Sequence, residues 1–463
     1  MHLSAKRLYI NILCSILNIE EIGVTCMINN ENLKNRDTYL NKLIAFQDKE
    51  VIKVVTGIRR SGKSKLLQLM INHLLEEGKD KNQIIEMHFE KMDFSLMSYK
   101  DVYNYVKERI IPNKIMYLFF DEIQRITGWE NAINALRVEF NTDIYVTGSN
   151  AYLLSSEYST YLAGRCVEIK MYPLSFNEFL YFHDFKVKEI NSAFGGIKRE
   201  VIDINGVSYS LKEAFDAYLR FGGMPGIIDV GLEQEKAFML LEGIYSTIIT
   251  RDILEREKRK DEKTVSDALL LKKIILFLAD NIGSNVSSST IGNTLSSVGL
   301  LNEKRNKKVP SSHTVDSYIN AIVETFMFYE IKRFDLKGKE YLKTLGKYYI
   351  ADIGIRNYLL GLRDRDRGHI LENIVYFELL RRGYDVAIGK IDNKEIDFIA
   401  NNPKEKIYFQ VTESLSNEDT RKRELDPLKK IKDNYEKIIL SLDETEDVFD
   451  GIKVINLISW LLK

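Results

Sequence analysis

Between Val51 and Val55 apolar and β-branched residues crowd together (Val51, Ile52, Val54, Val55), which predicts a buried strand that stops at Gly57. Downstream, Leu66, Leu67, Met70, Ile71, Leu74 and Leu75 recur at helical spacing, so a helix opens after Lys63 and Gly78 ends it. The alternation then repeats. A strand is expected over Ile84 to Phe89 and a helix over Tyr99 to Ile110. Further strands follow from Ile115 into Asp121 and Glu122, over Asp143 to Gly148, and over Cys166 to Met171. Strand and helix in turn predict an α/β domain.

Residues 181–210 break this rhythm as an insertion, with Asn205-Gly206 at a hairpin turn. Ala214 to Phe221 reads as a helix, followed by the turn Gly222-Gly223-Met224-Pro225-Gly226, and the next helix carries Ile248 to Ile253. An apolar helix over Leu269 to Leu278 precedes the polar stretch VSSSTIGNTL, and Val315, Ile319, Ile322, Val323 and Phe326 form one helical stripe. The segment after Phe328 alternates like a two-stranded wing turning at Lys337-Gly338. Helices followed by a wing outline a winged helix. Last come a helix over Leu371 to Arg381, ended by Gly383, and strands over Asp385 to Ile388, Glu395 to Ala400 and Ile407 to Val411.

A chain of 463 residues exceeds one core and suggests about three domains, and 45% hydrophobic with 29% charged residues is a globular composition. With 66 basic against 67 acidic residues, overall charge selects no partner, and only local patches speak for nucleic acid. Three cysteines, Cys14, Cys26 and Cys166, have no metal-like spacing and fit a reducing cytoplasm. No apolar run approaches the roughly 18 residues that span a bilayer. Residues 1–26 imitate a signal peptide, with Lys6 and Arg7 before LYINILCSILNI, yet lack a small-residue cleavage site and run into Glu20 and Glu21. Met27 as the true start accounts for them better.

Candidate chemistry lies where the first strand meets the first helix. Gly57-Ile58-Arg59-Arg60-Ser61-Gly62-Lys63-Ser64 fits G-x-x-x-x-G-K-[ST] at every fixed position. Glycines let the backbone curl until successive N–H groups face a phosphate, and the helix adds its positive N-terminal end. Lys63 would reach the β and γ phosphates of ATP, and the Ser64 hydroxyl would ligate Mg²⁺. At the end of the third strand Asp121 suits the Mg²⁺ shell, and Glu122 can orient and polarise the attacking water.

GIRRSGKS, LFFDEIQ, VTGSNA, LAGR, YPLSFNEF and FGGMPG together resemble a family of prokaryotic AAA-type ATP-binding proteins. This family is related to archaeal ATPases and signal-transducing NTPases and carries a C-terminal domain of unknown function. The resemblance implies a P-loop NTPase of AAA type at 27–180 and an insertion with helical lid at 181–262. It further implies a winged-helix domain at 263–345 and a restriction-endonuclease-like α/β domain at 346–463, with 1–26 as an extension. It also implies that Ser149 or Asn150, at the end of the fourth strand, touches the γ-phosphate or the water, with Asn150 preferred. Arg165 is read as a phosphate-facing arginine, in cis or offered to a neighbour, or else as a plain surface arginine. Pro225 is a candidate nucleotide contact within a rigid turn, and Arg251 a weaker phosphate or subunit contact.

Lys304, Arg305, Lys307, Lys308, Lys332, Arg333, Lys337 and Lys339 make the middle domain basic, which suits either DNA phosphates or a solvated connector. In the last domain, Glu372, Asp397 and Gln410 match the resembled nuclease core, but Thr412 stands where the lysine belongs. The expectation is a domain without nuclease activity that offers a surface to a protein partner. The reading is thus a cytoplasmic ATP-binding and ATP-hydrolysing switch, with an ATP-gated DNA-binding protein as the alternative. It expects no membrane association and leaves the oligomeric state open.

Overall fold

In the computed structural model the first apolar runs become β1 (Ile52–Thr56), β2 (Ile84–His88), β3 (Met116–Asp121), β4 (Thr142–Gly148) and β5 (Cys166–Lys170). They lie in the order β2-β3-β4-β1-β5, with every neighbouring pair parallel. Helices α1 (Asp37–Ala45), α2 (Lys63–Glu76), α3 (Tyr99–Lys107) and α4 (Trp129–Glu139) accompany them. A parallel sheet crossed by helices is covered on both faces, which is why β1 and β3 are buried along their whole length. Val54, Met87, Leu118, Phe120, Ile133 and Leu136 share one core, each such side chain contributing about 1.5–3 kcal/mol on burial.

The described residues are 33–151, 164–191, 197–259, 265–297, 310–338, 340–363, 366–444 and 446–463. Within them, Arg36–Lys463 fold together as one unit. The extension 1–26, Met27, Leu162, Ala163 and the basic residues Lys304, Arg305, Lys307, Lys308 and Lys339 lie outside the described residues. No described helix is long and apolar enough to cross a membrane.

After α5 (Phe176–Phe182) the insertion forms a small antiparallel sheet of β6 (Lys186–Asn191), β7 (Ile197–Ile202) and β8 (Ser208–Ser210). The Asp203 carboxylate accepts the N–H groups of Asn205 and Val207, closing the turn expected at Asn205-Gly206. Helices α6 (Leu211–Phe221) and α7 (Gln234–Thr247) follow. The expected helix through Ile248 to Ile253 is wound as a π-helix over Ile248–Glu255.

The middle region runs α8 (Ala268–Asp280), β9 (Asn285–Val286), α9 (Ser288–Ser297), α10 (Ser312–Val323) and the hairpin β10 (Phe328–Asp335) with β11 (Glu340–Ile350). Then come α11 (Ile353–Leu360), α12 (Arg367–Arg381), β12 (Asp385–Ile391), β13 (Lys394–Asn401) and β14 (Lys406–Val411). They are followed by α13 (Glu418–Lys429), β15 (Glu436–Ser441), β16 (Asp447–Phe449) and β17 (Ile452–Asn456). The structure corrects one expectation here. A single sheet runs β16-β17-β15-β14-β13-β12-β10-β11-β9, and β10 pairs parallel with β12. The hairpin is therefore shared with the last domain, and the expected boundary at 345/346 falls inside β11. An isolated hairpin leaves an edge of unpaired N–H and C=O groups, and pairing with β12 covers it.

Candidate nucleotide site

The loop after β1 is shaped by its glycines. Gly57 adopts φ +145°, and a Cβ there would stand 2.1 Å from the backbone oxygen of Met171. Gly62 adopts φ +103° and opens α2 without a side-chain cap, so the first helical N–H groups face the loop. The buried Lys63 ammonium donates to the carbonyls of Gly57 (2.9 Å) and Ile58 (3.1 Å), folding back over the loop. Burial lowers its pKa, with Glu122 and Asp121 pulling the other way. The Ser61 hydroxyl is fully buried and has no hydrogen-bond partner. An orphaned donor in a glycine-shaped cradle beside a lysine fits a phosphate.

Arg36, which the sequence pattern did not single out, grips this loop from behind. Its Nη1 donates to the Ser61 carbonyl (3.0 Å) and the Tyr172 carbonyl (2.9 Å), while Nε and Nη2 form a bidentate pair with Glu178 at 2.8 and 2.7 Å. Glu178 also closes a capping box with Ser175 at the start of α5.

Asp121 ends β3 beside the loop because β4 alone separates β3 from β1. Its Oδ1 accepts from Ser64 Oγ (3.0 Å) and Thr147 Oγ1 (2.6 Å), and its Oδ2 lies 3.2 Å from His88 Nδ1. Burial pushes this carboxyl up, but the bonds from His88, Thr147 and Ser64 hold it below its ordinary value. His88, bonded first by Asp121 and then by Glu86, is raised to about 9. Glu122 takes a left-handed backbone, φ 56°, and its N–H donates to Thr147 Oγ1 at 2.9 Å. Such a conformation in a non-glycine residue is uncommon and marks sites where side-chain direction matters. Glu122 Oε2 accepts from Ser149 Oγ (3.0 Å) and Gln124 Nε2, and Oε1 lies 4.0 Å from Lys63 Nζ.

Ser64 and Asp121 together offer a hydroxyl and a carboxylate oxygen, a hard donor pair suited to Mg²⁺ that keeps waters and phosphate oxygens for its other positions. Among the described residues no three His, Cys, Asp or Glu converge into a protein-only metal cage.

The other expected residues fall in three places. Asn150 is buried next to Ser149 at the end of β4. Arg165 stands at the opposite end of the sheet: its carbonyl accepts from Ile52 N–H and its guanidinium reaches Asn134. The length of β1, about 16 Å, separates it from the loop, so it does not face this chain's phosphate site. Pro225 sits in the turn after α6, where Gly223 packs on the Leu174 backbone and its N–H donates to Asp352 Oδ2 at 2.6 Å. Arg251 is exposed near Glu90.

Of the described basic residues in the middle region, Arg333 pairs with Glu395 and Lys337 with Asp392. In the last domain Glu372, Asp397, Gln410 and Thr412 line one cavity of about 720 Å³. Lys347, on β11, bonds Glu395 and lies 3.8 Å from Glu372. A cation thus does stand beside these acids, delivered by a strand remote in sequence from Thr412, where the pattern looked for it.

A parallel sheet in the order β2-β3-β4-β1-β5, with this loop after β1 and paired acids after β3, defines an α/β P-loop NTPase fold of AAA type. The comparisons agree. An AAA-domain family model matches residues 49–180, and a domain of unknown function (DUF8612) matches residues 212–366, running across the expected boundaries at 262/263 and 345/346. Over 437 residues the chain is 40% identical to a Haemophilus influenzae protein named only "Uncharacterized protein", covering 93% of this chain and 98% of that one. "Uncharacterized protein MJ1544" of Methanocaldococcus jannaschii is 28% identical over 439 residues, 90% of each chain. The chain belongs to the family of AAA-domain ATPase-fold proteins that includes the Haemophilus protein. Among solved structures, the Walker-type ATPase PABY2304 of Pyrococcus abyssi is 16% identical at TM-score 0.43, covering 71% of this chain and 97% of that one. Aeropyrum pernix ORC1 in complex with DNA is 13% identical at TM-score 0.30, covering 70% and 92%. Neither is close enough to lend this chain a ligand or a partner.

Proposed function

We propose that the protein binds and hydrolyses ATP as a molecular switch. One observation carries the reading. Lys63 and Ser64, at the start of α2, meet Asp121 and Glu122, at the end of β3, with Ser64 Oγ 3.0 Å from Asp121 Oδ1 and Lys63 Nζ 4.0 Å from Glu122 Oε1. Two stretches remote in sequence supply the two halves of a phosphoryl-transfer site.

In this reading the backbone of Gly57, Ile58, Arg59, Arg60, Ser61 and Gly62 cradles the phosphates, and Lys63 releases its loop carbonyls to reach the β and γ oxygens. Ser64 and Asp121 hold Mg²⁺, which when bound neutralises the charge developing on the phosphates. Glu122, aimed by its left-handed backbone and steadied by Ser149, orients the attacking water, with Asn150 beside it. Arg165 is left as a residue offered to a neighbouring copy, and Pro225 as a candidate nucleotide contact in its rigid turn. Nucleotide state reaches the rest of the chain through contacts at the site's rim. Ala151 N–H donates to the Glu324 carbonyl of the middle region, and the Gly223 N–H donates to Asp352.

The middle region keeps its reading as a winged helix acting as a lever, and the last domain as a restriction-endonuclease-like module receiving a protein partner. The protein is read as cytoplasmic, where ATP is abundant. Binding to DNA gains no specific support, because Arg333 is already paired with Glu395 on β13 and Lys337 with Asp392 in the turn before β13. ATP turnover by the full chain, with and without duplex DNA, tests the reading. Turnover indifferent to DNA is expected, and turnover that rises with DNA moves the DNA-gated alternative to the front.

A further inference from the structure

Arg59 is not directed at the phosphate cradle. Its Nε and Nη2 form a bidentate pair with Asp252, at 3.0 Å to Oδ2 and 2.9 Å to Oδ1, and its Nη1 reaches Glu90 at 3.2 Å. Asp252 belongs to the π-helical segment Ile248–Glu255 and is 8% exposed. Burial works against the Arg59 charge, and the hydrogen bonds that Arg59 donates to Asp252 and Glu90, together with the negative charges of Asp252 and Glu122, more than offset it. A π-helix over two turns is rare, and such segments are frequent at functional sites. The next residue, Arg256, pairs with Glu324 at 2.6 Å, and the Glu324 carbonyl accepts the N–H of Ala151 just past β4. One π-helical segment thus holds the phosphate loop through Asp252 and, through Arg256 and Glu324, the end of β4.

A guanidinium binds phosphate in the same forked way that it binds carboxylate, so a terminal phosphate in the loop competes for Arg59 with Asp252. The three anions repel one another, so they do not share one cation at low cost. The geometry points to Asp252 as the residue that sets affinity for the terminal phosphate: its ion pair with Arg59 is a latch closed without nucleotide and opened when ATP takes the guanidinium. Opening frees the π-helical segment to rewind and so carries the nucleotide state to the middle region. This inference rests on the reading of the loop as an ATP site, and deepens it by naming what distinguishes ATP from ADP there.

Linkage makes the test reciprocal: whatever ATP does to the latch, the latch does to ATP. Fluorescent ATP and ADP analogues with Mg²⁺ are titrated into the full chain and into Asp252→Asn, which keeps the side chain's size and removes its charge. The variant is expected to bind the ATP analogue about fivefold more tightly, at the lower end of couplings between linked sites, with a smaller change for the ADP analogue. Unchanged or weaker ATP binding by a folded Asp252→Asn overturns the latch, since it makes Asp252 a bystander or an aid to binding. Hydrogen exchange of the wild-type chain gives a second reading that needs no variant. Exchange over 248–255 is expected to quicken on adding MgATP, and exchange that stays level or slows overturns the latch alone. Failure of the wild-type chain to bind either analogue brings down the ATP site and the latch together.

Discussion

Replacing Arg36 by methionine removes the guanidinium that ties the phosphate loop to the segment before α5 while keeping most of the apolar stem. In the pair it forms with Glu178 the arginine is buried and the carboxylate partly buried, with side-chain exposures of 4% and 18%, and the pair is bidentate. Removing one partner of a buried pair costs about 3–5 kcal/mol, because the other charge stays buried without it. Two carbonyls, those of Ser61 and Tyr172, lose a donor as well. With a urea dependence of about 2.5 kcal/mol per molar, the midpoint of the transition that includes the AAA domain falls by about 1–2 M. Trp129, in that domain's core, reports this transition by fluorescence in a Trp460→Phe background, since the chain has two tryptophans.

Acid sensitivity changes too. Burial pushes the Glu178 carboxyl up, and Arg36 pulls it below its ordinary value. Its contribution is therefore present above the unfolded value, near 4.5, and is lost as pH falls below it; Arg36→Met should flatten that loss. An exposed pair, Lys422 with Glu418, is the control, worth a few tenths of a kcal/mol at about 0.3–0.5. If Arg36→Met costs no more than Lys422→Met, the buried clasp does not hold the loop.

Asp352→Ala removes both the cap of α11, where Oδ1 accepts the Ile355 N–H at 3.0 Å, and the acceptor of the buried Gly223 N–H. Losing a cap costs about 1 kcal/mol and orphaning a buried donor about 1–3, so thermal or urea unfolding should show a loss of about 2–4 kcal/mol. Gly57→Ala places a methyl against the Met171 backbone at a φ that L residues rarely adopt. The strain alone is about 1–3 kcal/mol, and nucleotide titration should show at least a tenfold weaker affinity, on the order of the 1.4 kcal/mol per decade relation.

The AAA domain was legible because buried parallel strands are written as unbroken apolar runs and its loop has fixed residue spacing. The run ending in Asp121 and Glu122 shows a strand and its acids at once. Other features leave no such trace. Arg36 is one arginine in a polar lead-in, and its partners are mostly carbonyls, which every residue has. Thr147 and His88 matter because of which strands lie side by side. Ile248 to Ile253 reads as ordinary helix, since α and π windings place apolar residues almost alike over so short a stretch. The hairpin of β10 and β11 was visible, but alternation within two strands does not reveal whether the outer edge is free, so its pairing with β12 went unseen. Lys347 beside Glu372 was hidden for the same reason.

Steady-state ATP hydrolysis by the wild-type chain and by Glu122→Gln, at saturating MgATP and with nucleotide binding measured in parallel, tests the central claim most directly. Glutamine keeps the shape and removes the base, so ATP binding should persist while turnover falls by about 10²–10⁴-fold. Turnover that survives the substitution, or a wild-type chain that binds ATP without hydrolysing it, contradicts the claim that this site is a hydrolase run by Glu122.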